Sequence, residues 1–117
     1  MQVKLKSLAM AEPERPISVQ APRFVIGRAE DCHFRLPSPL VSRHHCELMV
    51  EEDGARIRDL SSRNGTFVNG DRVDGERSLQ DGDLICVAAC VFEVQLSPNS
   101  RLAWNAVWNV ITKGARS

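Results

Sequence analysis

Three short stretches concentrate side chains able to hold an anion: Gly27-Arg28, Ser42-Arg43-His44-His45, and Ser61-Ser62-Arg63-Asn64-Gly65-Thr66, the last running on to Asn69-Gly70. Guanidinium forks bind phosphate oxygens through paired N–H donors, hydroxyls add short hydrogen bonds, and an asparagine amide can pair with a peptide backbone. Residue type alone does not select this chemistry, because arginine and serine in loops are usually just solvated. Metal binding is a second chemistry to weigh, since His33, His44 and His45 lie near Cys46 in sequence. Adjacent His44 and His45 would point to opposite faces of a strand, so one metal could not easily take both. None of Cys32, Cys46, Cys86 and Cys90 has CxxC or zinc-knuckle spacing, and no metal or cofactor is expected. The four cysteines read as reduced, buried thiols, with Cys86 and Cys90 the one pair that could meet across a hairpin.

The elements that must position these residues read as strands. Val3 to Leu8, Arg23 to Ile26, Cys46 to Val50, Ala55 to Leu60, Thr66 to Val68, Arg72-Val73, Leu84 to Val87 and Val91 to Leu96 are short apolar or alternating runs. Asn64-Gly65, Asn69-Gly70, Asp74-Gly75 and Asp81-Gly82 separate several of them, and such pairs tolerate positive φ in tight turns. The anion-holding stretches therefore fall on loops and strand ends. So many strands at this spacing indicate an all-β sandwich. Ala11 to Pro22, with three prolines and two glutamates, reads as a surface loop. After Ser97-Pro98 the pattern changes: Trp104, Val107, Trp108 and Ile111 fall at helical spacing, with Ser100 as N-cap and Gly114 as stop. The expected organisation is a sandwich over residues 1–97 and a helical extension over 98–117. The helix stripe should be buried on the sandwich or against another chain, which would give self-association.

With 117 residues and 43% hydrophobic content the chain fits one ordinary core. Fifteen Lys+Arg balance fifteen Asp+Glu, so nothing global points to nucleic acid or an anionic membrane, and any anion site must be local. No run approaches the roughly 18 apolar residues of a membrane span, and the chain reads as soluble, unprocessed and cytoplasmic.

The order Gly-Arg, Ser-x-x-His, Asn-Gly-Thr and Asn-Gly, together with Phe24-Val25-Ile26-Gly27-Arg28, Val41 to His45, Asp59 to Thr66 and Leu79 to Asp83, resembles the forkhead-associated (FHA) domain over roughly Val3 to Leu96. The resemblance implies a sandwich of two antiparallel sheets with about eleven strands, binding phosphothreonine peptides through loops at one end. It implies that Arg28 and the Ser42 hydroxyl contact the phosphate, that Arg43 adds charge, and that Asn64 holds the peptide backbone. Arg63 stands where family members often have a small or polar residue, at a position that often contacts the phosphothreonine. Gly27 and Gly65 look like backbone requirements, His45 like a brace for the loops, and Asn69 like a brace or a peptide contact. Ala88-Ala89 departs from the family, which usually has a glycine or aspartate in that turn.

Two rival functions are open to the same residues. Ser42, His45 and Asp59 could be forced into a nucleophile, base and acid arrangement. No oxyanion motif accompanies them, and the phosphate loop already accounts for Ser42 and His45, so no catalytic residue is assigned. The other rival is a phospho-independent scaffold or oligomerisation domain of the same fold. The expected function is a phosphothreonine-dependent protein interaction module in signalling, with no activity as an enzyme.

Overall fold

Alternation of period two places the core. In the computed structural model, which describes residues 1–8, 16–20 and 22–98, strand β1 (Gln2–Ser7) buries Val3 and Leu5 and turns Gln2 and Lys6 to water. Strands β3 (Arg23–Gly27), β6 (Gly54–Asp59) and β10 (Leu84–Val87) do the same with Phe24 and Ile26, Ala55 and Ile57, and Ile85 and Val87. Strand β11 (Cys90–Ser97) contributes Phe92 and Val94. The remaining strands are β2 (Ile17–Val19), β4 (Phe34–Arg35), β5 (Cys46–Glu51), β7 (Thr66–Val68), β8 (Asp71–Arg72) and β9 (Glu76–Leu79). They form a six-stranded sheet in the order β2-β1-β11-β10-β7-β8 and a five-stranded sheet in the order β4-β3-β5-β6-β9. The apolar faces of the two sheets share one cluster that runs from Val3 to Val94.

Eleven strands match the expected number, with two corrections. The stretch read as a loop from Ala11 to Pro22 contains β2, where Ile17, Ser18 and Val19 pair with Leu5, Lys4 and Val3. Prolines at both ends of that stretch masked an edge strand of three residues. Nor are the sheets wholly antiparallel, because β4 lies parallel to β3, with Ile26 opposite Phe34 and Gly27 opposite Arg35. A strand of two residues carries no periodicity to read. The helix expected after Ser100, with Trp104 and Trp108, lies outside the described residues.

Glu47 breaks the alternation on β5. It points away from the core yet is 3% exposed, because Arg23 at 2.9 and 3.1 Å and Arg58 at 3.6 Å cover its carboxylate. A charge this buried persists when it is paired and hydrogen-bonded.

The turns explain the register. Asn69 (φ 53°) and Gly70 (φ 86°) close β7 onto β8 as the Asn-Gly pair predicts. Ala88-Ala89 closes β10 onto β11 with Val87 opposite Cys90, and Ala88 takes a φ of 55°. Cys86 pairs with Val91 rather than Cys90. The two cysteines occupy adjacent rungs and project to opposite faces, so the one pair that could have met does not. All four cysteines are free, and of the four Cys46 alone is buried, with Cys32, Cys86 and Cys90 half-buried rather than buried as expected. An alanine held in the left-handed region costs about 1 kcal/mol or more. Ala88→Gly removes that strain but loosens the unfolded chain by roughly 0.5 to 1 kcal/mol. The expected result is a gain of up to about 0.5 kcal/mol in urea denaturation, and a lowered midpoint would show that Ala88 is not strained.

Candidate functional site

Three loops meet at one end of the sandwich: β3 to β4, β4 to β5, and β6 to β7. The first two are tied by backbone bonds, Arg28 N–H to the Ser42 carbonyl and Ala29 N–H to the Arg43 carbonyl, both at 3.0 Å. This close approach leaves no room for a side chain at Gly27, where a Cβ would fall inside contact distance of the Arg43 carbonyl and lie 2.9 Å from Cys32 Sγ. Glycine is required there by proximity of backbones.

His45 joins the second loop to the third. Its side chain is fully buried, its Nδ1 accepts the Ser42 N–H at 3.0 Å, and its Nε2 faces the Gly65 carbonyl at 2.8 Å. The first bond requires a bare Nδ1, so the imidazole is the Nε2–H tautomer and donates to Gly65. Gly65 sits at φ +87°, where a side chain would also crowd Arg72. Ser42 Oγ in turn accepts the Arg63 N–H at 2.9 Å, and Asn64 Nδ2 donates to the Leu40 carbonyl at 2.7 Å. The loops form one hydrogen-bonded unit.

A further brace escaped the sequence reading. Asp59 Oδ1 accepts from Ser62 Oγ at 2.5 Å and Thr66 Oγ1 at 2.8 Å, its Oδ2 accepts the Ser62 N–H at 3.1 Å, and Ser62 Oγ accepts the Gly65 N–H at 3.0 Å. The signal was the spacing Asp59-x-x-Ser62, which permits a carboxylate to cap the turn that follows it. Partial burial pushes the Asp59 carboxyl up, but the bonds from Ser62 and Thr66 outweigh it and hold the group below its ordinary value. A depressed carboxyl gives stability that is complete above its unfolded value, about pH 4, and is lost as the pH falls through the folded value. Asp59→Asn is therefore expected to flatten the loss of stability below about pH 4 in urea midpoints measured across pH. Equal slopes for the two proteins would remove this assignment.

These braces leave a cleft of about 190 Å³ lined by Arg28, Pro39, Leu40, Val41, Ser42, Arg43, Arg63 and Asn64. Three arginines line it and, among the described residues, no carboxylate does. Arg28 is steered by one bond, from Nε to the Val41 carbonyl at 3.1 Å, and its Nη groups have no partner among the described residues. The Ser42 hydroxyl accepts from Arg63 and keeps its own proton to donate. Arg43, Arg63 and Asn64 are exposed.

Of the expected residues, Arg28, Ser42, Arg43, Arg63 and Asn64 come together at this cleft, with Gly27, His45 and Gly65 behind it. Asn69 stands apart. Its Oδ1 accepts the Leu84 N–H and its Nδ2 donates to Asp83 Oδ1, both at 2.9 Å, so it braces the start of β10. The nucleophile, base and acid arrangement is not assembled, since Ser42 Oγ bonds Arg63, both His45 nitrogens are spent elsewhere, and Asp59 serves Ser62 and Thr66. The weighed metal set is likewise dispersed: His33 Nδ1 accepts the Val25 N–H, and burial pushes the Cys46 thiol up to about 12. Among the described residues Asp31, Cys32 and His44 do converge, with ligand atoms within 4.8 Å of one another. They are engaged in the protein, His44 with the Asp31 carboxylate at 3.0 Å and Cys32 Sγ with the Arg43 carbonyl at 3.2 Å.

The family model described as "FHA domain" matches residues 24–88, which span the three loops and the cleft. The chain belongs to the FHA domain family. A solved FHA domain, studied for phosphothreonine-dependent interactions, is 34% identical with a TM-score of 0.76, covering 85% of this chain and all of that one. EmbR of Mycobacterium tuberculosis, solved with a low affinity phosphopeptide, is 32% identical with a TM-score of 0.77 over 85% of this chain and 25% of its own. The ABC transporter ATP-binding/permease protein Rv1747 of Mycobacterium tuberculosis is 50% identical over 62 residues, 53% of this chain. This FHA domain spans 7% of that transporter and 2% of human proliferation marker protein Ki-67.

Proposed function

We propose that this FHA domain is a phosphothreonine-dependent protein interaction module without catalytic activity. The observation that carries the reading is the cleft: a chain of formal net charge +0 gathers Arg28, Arg43 and Arg63 around one opening with no carboxylate among the described residues that line it. A phosphothreonine brings about −1.5 to −2 charge and three acceptor oxygens. In this reading the Arg28 Nη groups and the Ser42 hydroxyl donate to the phosphate, Arg43 and Arg63 add charge, and Asn64 meets the peptide backbone beside it. Leu40, 56% exposed at the rim, together with Ser38 and Pro39, shapes the choice of flanking residues. The likeness to FHA domains solved with phosphopeptides supports this assignment. No cofactor enters it. With a neutral chain the partner is taken to be protein rather than nucleic acid or membrane, and four free thiols suit the cytoplasm.

Calorimetry with matched phosphothreonine, phosphoserine and unphosphorylated versions of a peptide library tests the reading. Binding is expected for phosphothreonine, more weakly for phosphoserine, and not for the unphosphorylated form. Equal affinity for phosphorylated and unphosphorylated peptides would leave a phospho-independent scaffold in its place.

A further inference from the structure

Beside the cleft lies a second hollow of about 280 Å³, lined by Arg28, Ala29, Glu30, Arg35, Pro37 and Arg43. Arg28 and Arg43 border both hollows, and Arg35 belongs to this one alone. Its place is set by the fold. The parallel pairing of β3 with β4 puts Arg35 opposite Gly27, and its Nε donates to the Arg28 carbonyl at 2.9 Å. That bond holds the root of the guanidinium against the phosphate-loop backbone. The Arg35 Nη groups have no partner among the described residues. Among the described residues Glu30 is the one carboxylate in the lining, against three guanidinium groups.

Three cations gathered around an open hollow repel one another, and one carboxylate offsets part of that repulsion. Arg28, Arg35, Arg43 and Arg63 border the two hollows. A phosphothreonine of about −1.5 to −2 charge together with Glu30 offsets most of their charge but leaves a surplus of roughly one positive charge. Arg35, which borders only the second hollow, is the arginine farthest from sharing the first phosphate. We infer that the hollow is a second anion subsite, which takes a further phosphate or carboxylate carried by the same peptide. The domain then distinguishes multiply phosphorylated or acidic segments from singly phosphorylated neutral ones. This rests on the phosphothreonine reading above. The subsite uses a guanidinium fork, so a phosphate with three acceptor oxygens should fill it better than a glutamate.

The test is a calorimetric titration of this domain with peptides that share one phosphothreonine and carry a second group, walked residue by residue along both flanks. The second group is phosphothreonine in one series, glutamate in another and alanine in a third. At the spacing that reaches the hollow, the second phosphate is expected to tighten binding about tenfold and glutamate less. Arg35→Ala should abolish that increment, so that within the variant the phosphothreonine and alanine series bind within about twofold of one another. Glu30→Gln, which removes the opposing carboxylate, should enlarge it. A second phosphate that gives no gain at any spacing would overturn the subsite, as would a gain that survives Arg35→Ala. If singly phosphorylated peptides bind no better than unphosphorylated ones, the phosphothreonine reading falls and the subsite with it. Normal single-phosphate binding without an increment removes the subsite alone.

Discussion

Arg28→Ala is expected to abolish measurable phosphopeptide binding while leaving the fold almost as stable as before. Truncating one partner of a hydrogen-bonded charge pair at an interface costs roughly 2 to 5 kcal/mol, which carries a micromolar complex to undetectable affinity. The geometry singles out Arg28 among the three arginines of the cleft. Its Nε is held on the Val41 carbonyl, so both Nη groups are aimed before a ligand arrives and little rotamer freedom is lost on binding. The Arg43 and Arg63 side chains have no such steering bond among the described residues. Their removal should weaken binding less and lower its salt dependence instead. Arg28→Lys keeps the charge but loses both the Nε bond and the fork, so it should behave much closer to alanine than to arginine. The folding penalty of Arg28→Ala is one part-buried bond to the Val41 carbonyl, about 1 kcal/mol. Calorimetry and thermal denaturation on one preparation separate these effects. An Arg28→Ala protein that binds phosphopeptide normally would end the phosphothreonine reading.

Which parts of this site could be read in the sequence follows from the range of the forces involved. The long strands were legible because burial alternates along them, as with Val3 and Leu5 or Phe24 and Ile26, and the β7 to β8 turn because Asn69-Gly70 favours positive φ. Edge strands β2 and β4 were not, since two or three residues carry no period. The residues that line the cleft were legible as ordered motifs, whereas Arg35 was not. Nothing local marks Arg35. It enters the site because a parallel pairing brings β4 beside Gly27, a tertiary fact without a sequence signature. The same applies to Asn69, whose amide could serve a ligand or the fold until Leu84 and Asp83 are brought to it. Cys86 and Cys90 show the limit from the other side, since a shift of one residue in hairpin register decides whether two side chains share a face.

His45→Ala should injure folding first and binding as a consequence. The imidazole is fully buried and spends both nitrogens inside the protein, on the Ser42 N–H and the Gly65 carbonyl. Alanine leaves a cavity and two unpaired backbone groups. An unpaired buried group costs about 1 to 3 kcal/mol and the lost packing adds to it, so about 3 kcal/mol in total is expected. Against a typical stability of roughly 5 to 15 kcal/mol the domain should still fold, with a melting temperature lower by ten degrees or more. Binding should weaken even in the folded fraction, because the lost bonds are those that hold the Ser42 loop against the Gly65 loop. Ser42 Oγ carries the Arg63 N–H, so a slack junction displaces the hydroxyl and one arginine together. His45→Gln offers a discriminating comparison. Its amide can keep a donor near Gly65 but places no acceptor at the Nδ1 position, so it should recover part of the stability and part of the affinity in parallel. A ligand-contacting histidine would instead leave the melting temperature unchanged in both variants while affinity fell. Thermal denaturation beside phosphopeptide calorimetry separates the two, and a His45→Ala protein that melts like the parent yet fails to bind would move His45 from the frame of the site into its contact surface.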